Sequence, residues 1–334
     1  MSPDYDLRGV LNRLFNQEIL TKSETKEILT AIGKGRVDPY QTTALLTCYQ
    51  MRQIRGHELS GFREAMIDLA VSIDFSDYET IDLCGTGGDG KDTFNISTLS
   101  SFVVAGAGYI VAKHGNYGVS SGCGSSNVLE YLGYHFSNDQ DKLRGDIEKG
   151  NFCYMHAPLF HPAMKHVGPI RKAMKTKTFF NMLGPLLNPS RPKHQITGVF
   201  SSDLLSLYQD VFEDMDIEYA VIHADDGYDE ISLTGPFQIR SNRFNGAMSP
   251  EEIGLPRLSM SDLHGGHTVE AAAEIFISIL SGNGTPAQNA VVVANAAYAI
   301  QRFKPESSIK ACMDEAKYSL ESKAGLTCLK AVTS

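Results

Sequence analysis

A chain of 334 residues with 42% apolar content can bury one large core or two smaller ones. Its formal net charge of −9 excludes a broad nucleic-acid surface and leaves room only for a local basic pocket that takes a small anion. There is no apolar run of about 18 residues, and the opening "MSPDYDLRGV" lacks the basic-then-apolar layout of a signal peptide, so no membrane role is expected and a cytoplasmic location is.

Residues 4–72 read as helices without strands. "LRGVLNRLFNQEIL", "KSETKEILTAIGKG" and "DPYQTTALLTCYQMRQIRG" space their apolar residues three and four apart, and Asp38-Pro39 supplies an N-cap followed by a first-turn proline. A small helical domain over 1–72 follows. After the polar "SIDFSDYET", the apolar "TIDLCG" runs into a glycine loop, "STLSSFVVAGAG" has helix character, and "YIVAKHG" reads as a strand. Strand, loop, helix, strand is the order of a βαβ unit, and it recurs in "HQITGVF", "SDLLSLYQDVFEDM" and "EYAVIHA". The apolar helices "TVEAAAEIFISILSG" and "TPAQNAVVVANAAYAIQ" suit packing on a sheet. The expected fold is α/β: a small N-terminal helical domain, then over 80–334 a larger α/β domain with a central, mainly parallel or mixed sheet flanked by helices. The six cysteines (Cys48, Cys84, Cys123, Cys153, Cys312, Cys328) are scattered, with no C-x-x-C pair and no histidine at zinc-ligand spacing, and are read as buried free thiols.

The glycine loop "GTGGDGKD", residues 85–92, nearly fits two phosphate-binding patterns. A P-loop needs Ser or Thr after the lysine to reach Mg²⁺, and Asp92 stands there. A dinucleotide fingerprint needs an acid about 20 positions on, but the second strand ends in Lys113-His114-Gly115. What survives is the physics both share: glycines that let backbone N–H groups crowd an oxyanion beside a helix N-terminus. "TFNIST" adds Asn95, Ser97 and Thr98 where that helix begins, although one of them would suffice as a cap. A second loop, "KHGNYGVSSGCGSSN", leaves a strand with a lysine and passes through four glycines and four serines. Two such loops on neighbouring strands suit a ligand with phosphates at both ends.

Two further stretches have open readings. "HADDGYDEISLTG" offers Asp225, Asp226, Asp229 and Glu230 either to a metal or to solvent at an acidic turn after a strand. In "MHAPLFHPAMKHVGPIRKAMK", His161 is a loop histidine or a ligand-facing one, and Arg171 is a solvated helix residue or a planar fork for a carboxylate.

"GTGGD", "NIST", "KHGN", "HPAMK", "FNMLGPLLNP" and "DGYDE", in this order and spacing from about residue 5 to 300, resemble the anthranilate phosphoribosyltransferase family of tryptophan biosynthesis. The resemblance implies transfer of the phosphoribosyl group of phosphoribosyl pyrophosphate (PRPP) to the amine of anthranilate, with release of pyrophosphate and a requirement for Mg²⁺. It also implies a homodimer built through the helical domain, a returning segment near 171–190 that joins that domain, and an active site between the domains. Residue by residue, it assigns PRPP to Gly85, Thr86, Gly87, Gly88, Asp89, Thr93, Asn95, Ser97, Thr98, Lys113 and Ser125. Anthranilate falls to Gly85, Asn116, Ala157, His161, Arg171 and Gly184, and the metal to Ser97, Asp229 and Glu230. Lys113 and His114 are the implied catalytic side chains, the latter as a late acceptor of the amine proton.

Three positions depart from the family pattern within one loop: Tyr117 in place of a common arginine, Gly122 in place of lysine, and Asn127 in place of aspartate. PRPP affinity is the property they put at stake. A pyrimidine nucleoside phosphorylase would share the fold, but the "HPAMK" to "FNMLGPLLNP" block argues against it. A non-catalytic nucleic-acid-binding relative would be basic and lack metal ligands, whereas this chain is acidic and keeps Asp229 and Glu230.

Overall fold

The computed structural model describes residues 4–118 and 123–334, so Gly122 lies outside the described residues. The chain gathers into two compact units, Met1–Ser72 with Ala157–Pro189, and Ile73–His156 with Ser190–Ser334. The segment that returns to the first unit begins at Ala157, well before 171. It is held there early because Val71 N–H donates to Phe160 O at 2.8 Å. The helix Met164–Met174 then packs against Lys22–Gly33 and Pro39–Met51.

The helical unit is built on Arg8–Phe15, Lys22–Gly33, Pro39–Met51 and Gly56–Asp68. Asp38 caps the third helix by accepting from Tyr40 N–H at 2.8 Å, with Pro39 in the first turn. Thr21 and Glu24 close a reciprocal capping box on the second. Leu29, Leu45, Leu46 and Phe62 form the core, and Phe62 stacks on Phe179 of the returning segment at 4.3 Å. Among these side chains lies a carboxylate, Glu58, fully buried. Arg52 donates to both of its oxygens, and the Tyr49 hydroxyl and the N–H groups of Leu20 and Arg55 each donate at 3.0 Å. Burial alone would raise its pKa. Arg52 and the two backbone N–H groups outweigh burial and hold it below the ordinary value.

The second unit carries one seven-stranded sheet in the order β3-β2-β1-β4-β5-β6-β7. Its strands are β1 Thr80–Gly85, β2 Ile110–Gly115, β3 Phe152–His156, β4 His194–Gly198, β5 Glu218–Ala224, β6 Phe237–Ser241 and β7 Asn245–Met248. The first five are parallel and the last two antiparallel, a mixed and mostly parallel sheet. The apolar pattern identifies β1, β2, β4 and β5 but not β3, β6 and β7. Strand β3 is buried along its whole length, and so shows no alternation. Helices Ile96–Gly106 and Pro286–Phe303 lie together on the sheet, and Leu99, Phe102, Val103, Val292, Ala296 and Ile300 are fully buried between them and the strands. Among the described residues, no helix is long and apolar enough to cross a membrane.

Candidate functional site

The chain leaves β1 for β2 on one side and later returns to β4 on the other, so the strand order reverses between β1 and β4. In open α/β sheets the crevice at the carboxyl ends of such strands is where ligands bind. Here those ends are Gly85 and Gly198, paired with each other across the ladder. A side chain at either would displace Asp229. A Cβ on Gly85 would meet Asp229 Oδ2 at 2.4 Å, and one on Gly198 would meet the Asp229 carbonyl oxygen at 1.4 Å. The segment after β5 can therefore lie directly on the strand ends, which places Asp229 and Glu230 over the glycine loop.

Asp229 Oδ2 accepts from Gly87 N–H at 2.8 Å, and Glu230 Oε1 accepts from Ser97 N–H at 3.2 Å. Gly87 and Gly88 both have positive φ (60° and 77°), the backbone state that lets successive N–H groups turn toward one point. Asn295, buried on Pro286–Phe303, fixes the acidic segment by accepting from Ile231 N–H at 3.1 Å and donating to Ile231 O at 3.0 Å. The β1–β2 register pairs only Thr80 with Ile110 and Ile81 with Val111. Beyond it the strands part, and Lys113 of β2 reaches across to donate to Leu83 O, with its Nζ 3.5 Å from Ser97 Oγ. Lys113, Ser97, Asp229, Glu230 and the loop 85–89 thus occupy one place.

The charges there are poorly satisfied. Burial, with the neighbouring charge of Asp89, pushes the Asp229 carboxyl up to about 7. Burial and the charges of Asp229 and Asp89 raise Glu230 well above its ordinary value, and burial raises Asp89. Lys113 is depressed by burial, against the pull of Asp82 and Glu230. Three carboxyl groups, of which Asp89 and Asp229 share a hydrogen bond and both act on Glu230, stand beside one buried lysine and call for a further cation. Their donors, with the Ser97 hydroxyl, are all oxygen, the set a hard divalent ion such as Mg²⁺ takes. Thr86 Oγ1 is buried with no hydrogen-bond partner among the described residues, as expected of a group that faces a ligand.

The second loop is tied to the first: Asn95 Nδ2 donates to Cys123 O at 3.1 Å. Ser125 Oγ lies 2.7 Å from the Tyr154 hydroxyl and 3.4 Å from Asn116 O, while Ser126 Oγ lies 2.8 Å from the same hydroxyl and 2.9 Å from His156 Nδ1. Asn127 Oδ1 accepts from Gly118 and Gly124, both at 3.0 Å. The neutral amide at this departure closes the loop on itself. Tyr117 donates its hydroxyl to Glu130 at 3.2 Å and sets its ring edge-on to His156, so it is a loop fastener and supplies no cation. Thr98 is buried in the first turn of Ile96–Gly106, and Thr93 is half-buried and bridged to His264. His114 is buried, and its backbone N–H donates to Asp82 Oδ1 at 3.2 Å. The side chains of Tyr154, Ser126, Asp82 and Asn295 join the site without any motif in the sequence that marks them.

The residues expected to hold the aromatic acceptor divide between the units. Gly85 and Asn116 belong to the α/β unit; Ala157, His161, Arg171 and Gly184 belong to the helical unit. There His161 is buried, and burial pushes its imidazole down to about 4, so the ring is neutral at pH 7. Arg171 is half-buried, donates to Asn181 Oδ1 at 3.2 Å and lies over the Phe180 ring at 5.4 Å. Burial lowers its pKa, and it has no carboxylate partner among the described residues. A guanidinium held by an amide and a ring, with its charge uncompensated, is placed to receive an anion. Gly184 is exposed at the start of a short helical turn, and Ala157 opens the segment Ala157–Phe160.

The chain matches two family models: the α/β domain of a glycosyl transferase family over residues 77–325 and the helical bundle domain of the same family over 8–70. It is 53% identical over 324 residues to the anthranilate phosphoribosyltransferase of Flavobacterium johnsoniae, covering 97% of this chain and 98% of that protein. It is 51% identical to that of Cytophaga hutchinsonii, covering 97% and 99%. Among solved structures it superposes on the Thermus thermophilus enzyme with a TM-score of 0.91 at 32% identity, covering 97% of this chain and 98% of that one. The Saccharomyces cerevisiae enzyme in complex with PRPP and Mg shares the fold, with a TM-score of 0.86 at 24% identity over 98% of this chain and 96% of that one.

Proposed function

This chain belongs to the anthranilate phosphoribosyltransferase family, and we propose on that premise that the site described above holds PRPP and Mg²⁺ and directs the ribosyl carbon to the anthranilate amine. The reaction is the transfer of the phosphoribosyl group of PRPP to anthranilate with release of pyrophosphate, a step of tryptophan biosynthesis. The observation that carries the site assignment is the pair Asp229 and Glu230, packed onto a glycine loop at the reversal of strand order and short of positive charge.

When bound, Mg²⁺ supplies the positive charge that neutralises the leaving pyrophosphate, and Asp229, Glu230 and Ser97 would hold it. The remaining work falls to the chain's own groups. Displacement at the anomeric carbon develops positive charge on the ribose and negative charge on the departing oxygen. Stabilising that oxygen therefore lowers the barrier most. The loop Gly85 to Gly88, the side chains of Asn95, Thr93, Thr98 and Ser125, and the ammonium of Lys113 are assigned to the phosphates; Asp89 takes the ribose hydroxyls. An aniline nitrogen is weakly basic, so no strong base is required before bond formation. His114, next to Lys113 on β2, accepts the amine proton afterwards.

Anthranilate binds through its carboxylate to Arg171, whose fork provides two parallel charge-assisted hydrogen bonds. The neutral His161, with Ala157 and Gly184 of the same unit, is assigned to the remainder of the acceptor. Orientation of the amine toward the ribosyl carbon supplies the entropic part of the rate. We assign the protein to the cytoplasm and to a homodimer formed by the helical unit, which exposes Phe15, Tyr40 and Met51 to at least 60% each. Light scattering distinguishes dimer from monomer. The central test mixes the protein with PRPP, Mg²⁺ and anthranilate and follows loss of anthranilate fluorescence. Loss that requires all three components supports the assignment. Fluorescence that persists with folded protein and fresh PRPP refutes it.

A further inference from the structure

Outside the phosphate site, the described residues contain one cluster of three side chains able to ligate a metal ion: Asp92, His264 and His267, whose ligand atoms all lie within 4.8 Å of one another. None belongs to the residues assigned to PRPP, anthranilate or Mg²⁺. All three are exposed, so no element of the fold occupies the space between them.

The backbone beneath them is firmly built. Thr93 and His264 form an antiparallel bridge, Phe94 N–H donates to Leu263 O at 3.0 Å, and Gly265 N–H donates to Asp92 O at 2.9 Å. The two segments approach so closely that a Cβ on Gly265 would meet Thr93 O at 2.4 Å. Gly266, with φ of 84°, turns the chain so that His264 and His267 come to the same side, their rings edge-to-face at 4.7 Å. Thr268 then caps the helix Val269–Ser278 and fixes the far end of the turn. His267 Nδ1 already lies 3.9 Å from Asp92 Oδ2, and Gly266 N–H donates to His264 Nδ1 at 3.1 Å. In that bond Nδ1 is the acceptor, so a small ring rotation exchanges the hydrogen bond for a metal bond.

We propose that Asp92, His264 and His267 bind a first-row divalent transition ion of the Zn²⁺ class, with water as the fourth ligand. Two imidazoles and one carboxylate form a mixed nitrogen and oxygen set, which such ions take in tetrahedral geometry and Mg²⁺ does not favour. With bonds of about 2.1 Å, tetrahedral ligand atoms stand roughly 3.4 Å apart, so the present spread closes by up to about 1.4 Å. Exposed side chains make that movement without disturbing the core. The ion bridges the exit of the glycine loop at Asp92 to the turn 264–267. Other fastenings of the loop include Thr86 N–H to Gly198 O at 2.9 Å, the Gly87 to Asp229 hydrogen bond and Lys91, whose Nζ lies 4.6 Å over the Tyr228 ring. Bound metal adds a further cross-link at the loop's exit and raises the stability of the folded state by mass action.

The full chain, with saturating Mg²⁺ present throughout, is titrated with Zn²⁺ by calorimetry and followed by thermal melting. The wild type is expected to bind one Zn²⁺ per chain and to melt at higher temperature with it. His264→Ala and His267→Ala each lose about tenfold or more in affinity, as loss of one of three protein ligands requires, together with the Zn²⁺-dependent rise in melting temperature. Their melting temperature without Zn²⁺ and their turnover with Mg²⁺ stay at wild-type values. Co²⁺ serves as a second probe, its tetrahedral visible absorption present in the wild type and absent from both variants. Absence of Zn²⁺ binding in the wild type under these conditions overturns the proposal. So does a double variant, His264→Ala with His267→Ala, that binds with wild-type stoichiometry and affinity.

Discussion

Gly198→Ala tests whether the approach of the acidic segment to the sheet makes the site. The added methyl would stand 1.4 Å from Asp229 O, 2.5 Å from its carbonyl carbon and 3.3 Å from its Cα. All three are backbone atoms, so no side-chain rotation relieves the clash. Restoring a non-bonded separation of about 3.5 Å moves the Asp229 backbone back by roughly 2 Å. Overpacking of this kind costs about 1–3 kcal/mol of stability. The larger effect falls on chemistry, because a displacement of about 1 Å in a positioned group can cost a hundredfold in rate. Asp229 would lose its bond from Gly87 N–H, and the carboxylate pair would leave the loop. The expected result is a folded protein with kcat/KM lowered about a hundredfold or more and partly recovered at high Mg²⁺, read by anthranilate fluorescence across a Mg²⁺ series. Gly145→Ala, in the helix Gln140–Gly150 with nothing within 4 Å of the added carbon, is the control. It should leave turnover unchanged and stabilise the fold by about 0.5–1 kcal/mol. If folded Gly198→Ala matches the wild type in both kcat/KM and Mg²⁺ dependence, contact between Asp229 and the strand ends does not build the site.

Asp229→Asn with Glu230→Gln should abolish turnover at ordinary Mg²⁺, as should EDTA on the wild type; full activity in the double variant removes both residues from the metal site. Arg171→Ala should lower kcat/KM for anthranilate by about thirty-fold or more, mainly through KM, because a carboxylate would lose its only guanidinium partner. Arg171→Lys should recover part of that loss, and an equal fall in PRPP affinity would show that Arg171 serves the phosphates instead. His161 contributes a pH dependence to stability: its pKa falls from 6.5 to about 4 on folding, so between these values the unfolded chain binds more protons and stability drops as the pH is lowered. Urea unfolding at pH 7 and pH 5 should differ by about 2 kcal/mol from this group, and His161→Gln should flatten that difference; an unchanged slope would place the effect elsewhere. Glu58→Ala strands Arg52 in the helical core and should cost about 3–5 kcal/mol, measured by the same unfolding; a cost below about 1 kcal/mol would mean the pair is solvated in solution.

Much of the architecture can be read from local pattern. Helical spacing, the Asp38-Pro39 cap and the βαβ order mark the helical unit and the strands β1, β2, β4 and β5, because each is a property of neighbours in the chain. The glycine loop announces itself for the same reason: backbone crowding around an oxyanion needs glycines in succession, and succession is visible in a sequence. Strand β3 escapes notice because a strand buried along its whole length has no alternation, and the edge strand β7 because four residues are too few to show one; β6, inside the sheet, alternates over only five residues. The resemblance to a family points to Asp229, Glu230 and Arg171, but not to why those residues suffice.

That reason is tertiary. Only the register of β1 against β4 brings Gly85 and Gly198 side by side, and only the absence of two Cβ atoms there lets Asp229, from another strand's loop, lie on both. The same holds for Lys113, which crosses to Leu83 O where the β1–β2 ladder opens, and for Tyr154, which gathers the serine loop from the neighbouring strand. Histidines with no zinc spacing among themselves acquire a third ligand in Asp92, more than a hundred residues away. The chain's order sets which residues are neighbours along an element. Burial and charge at a site depend on which elements meet, and that is decided by the packing of the sheet.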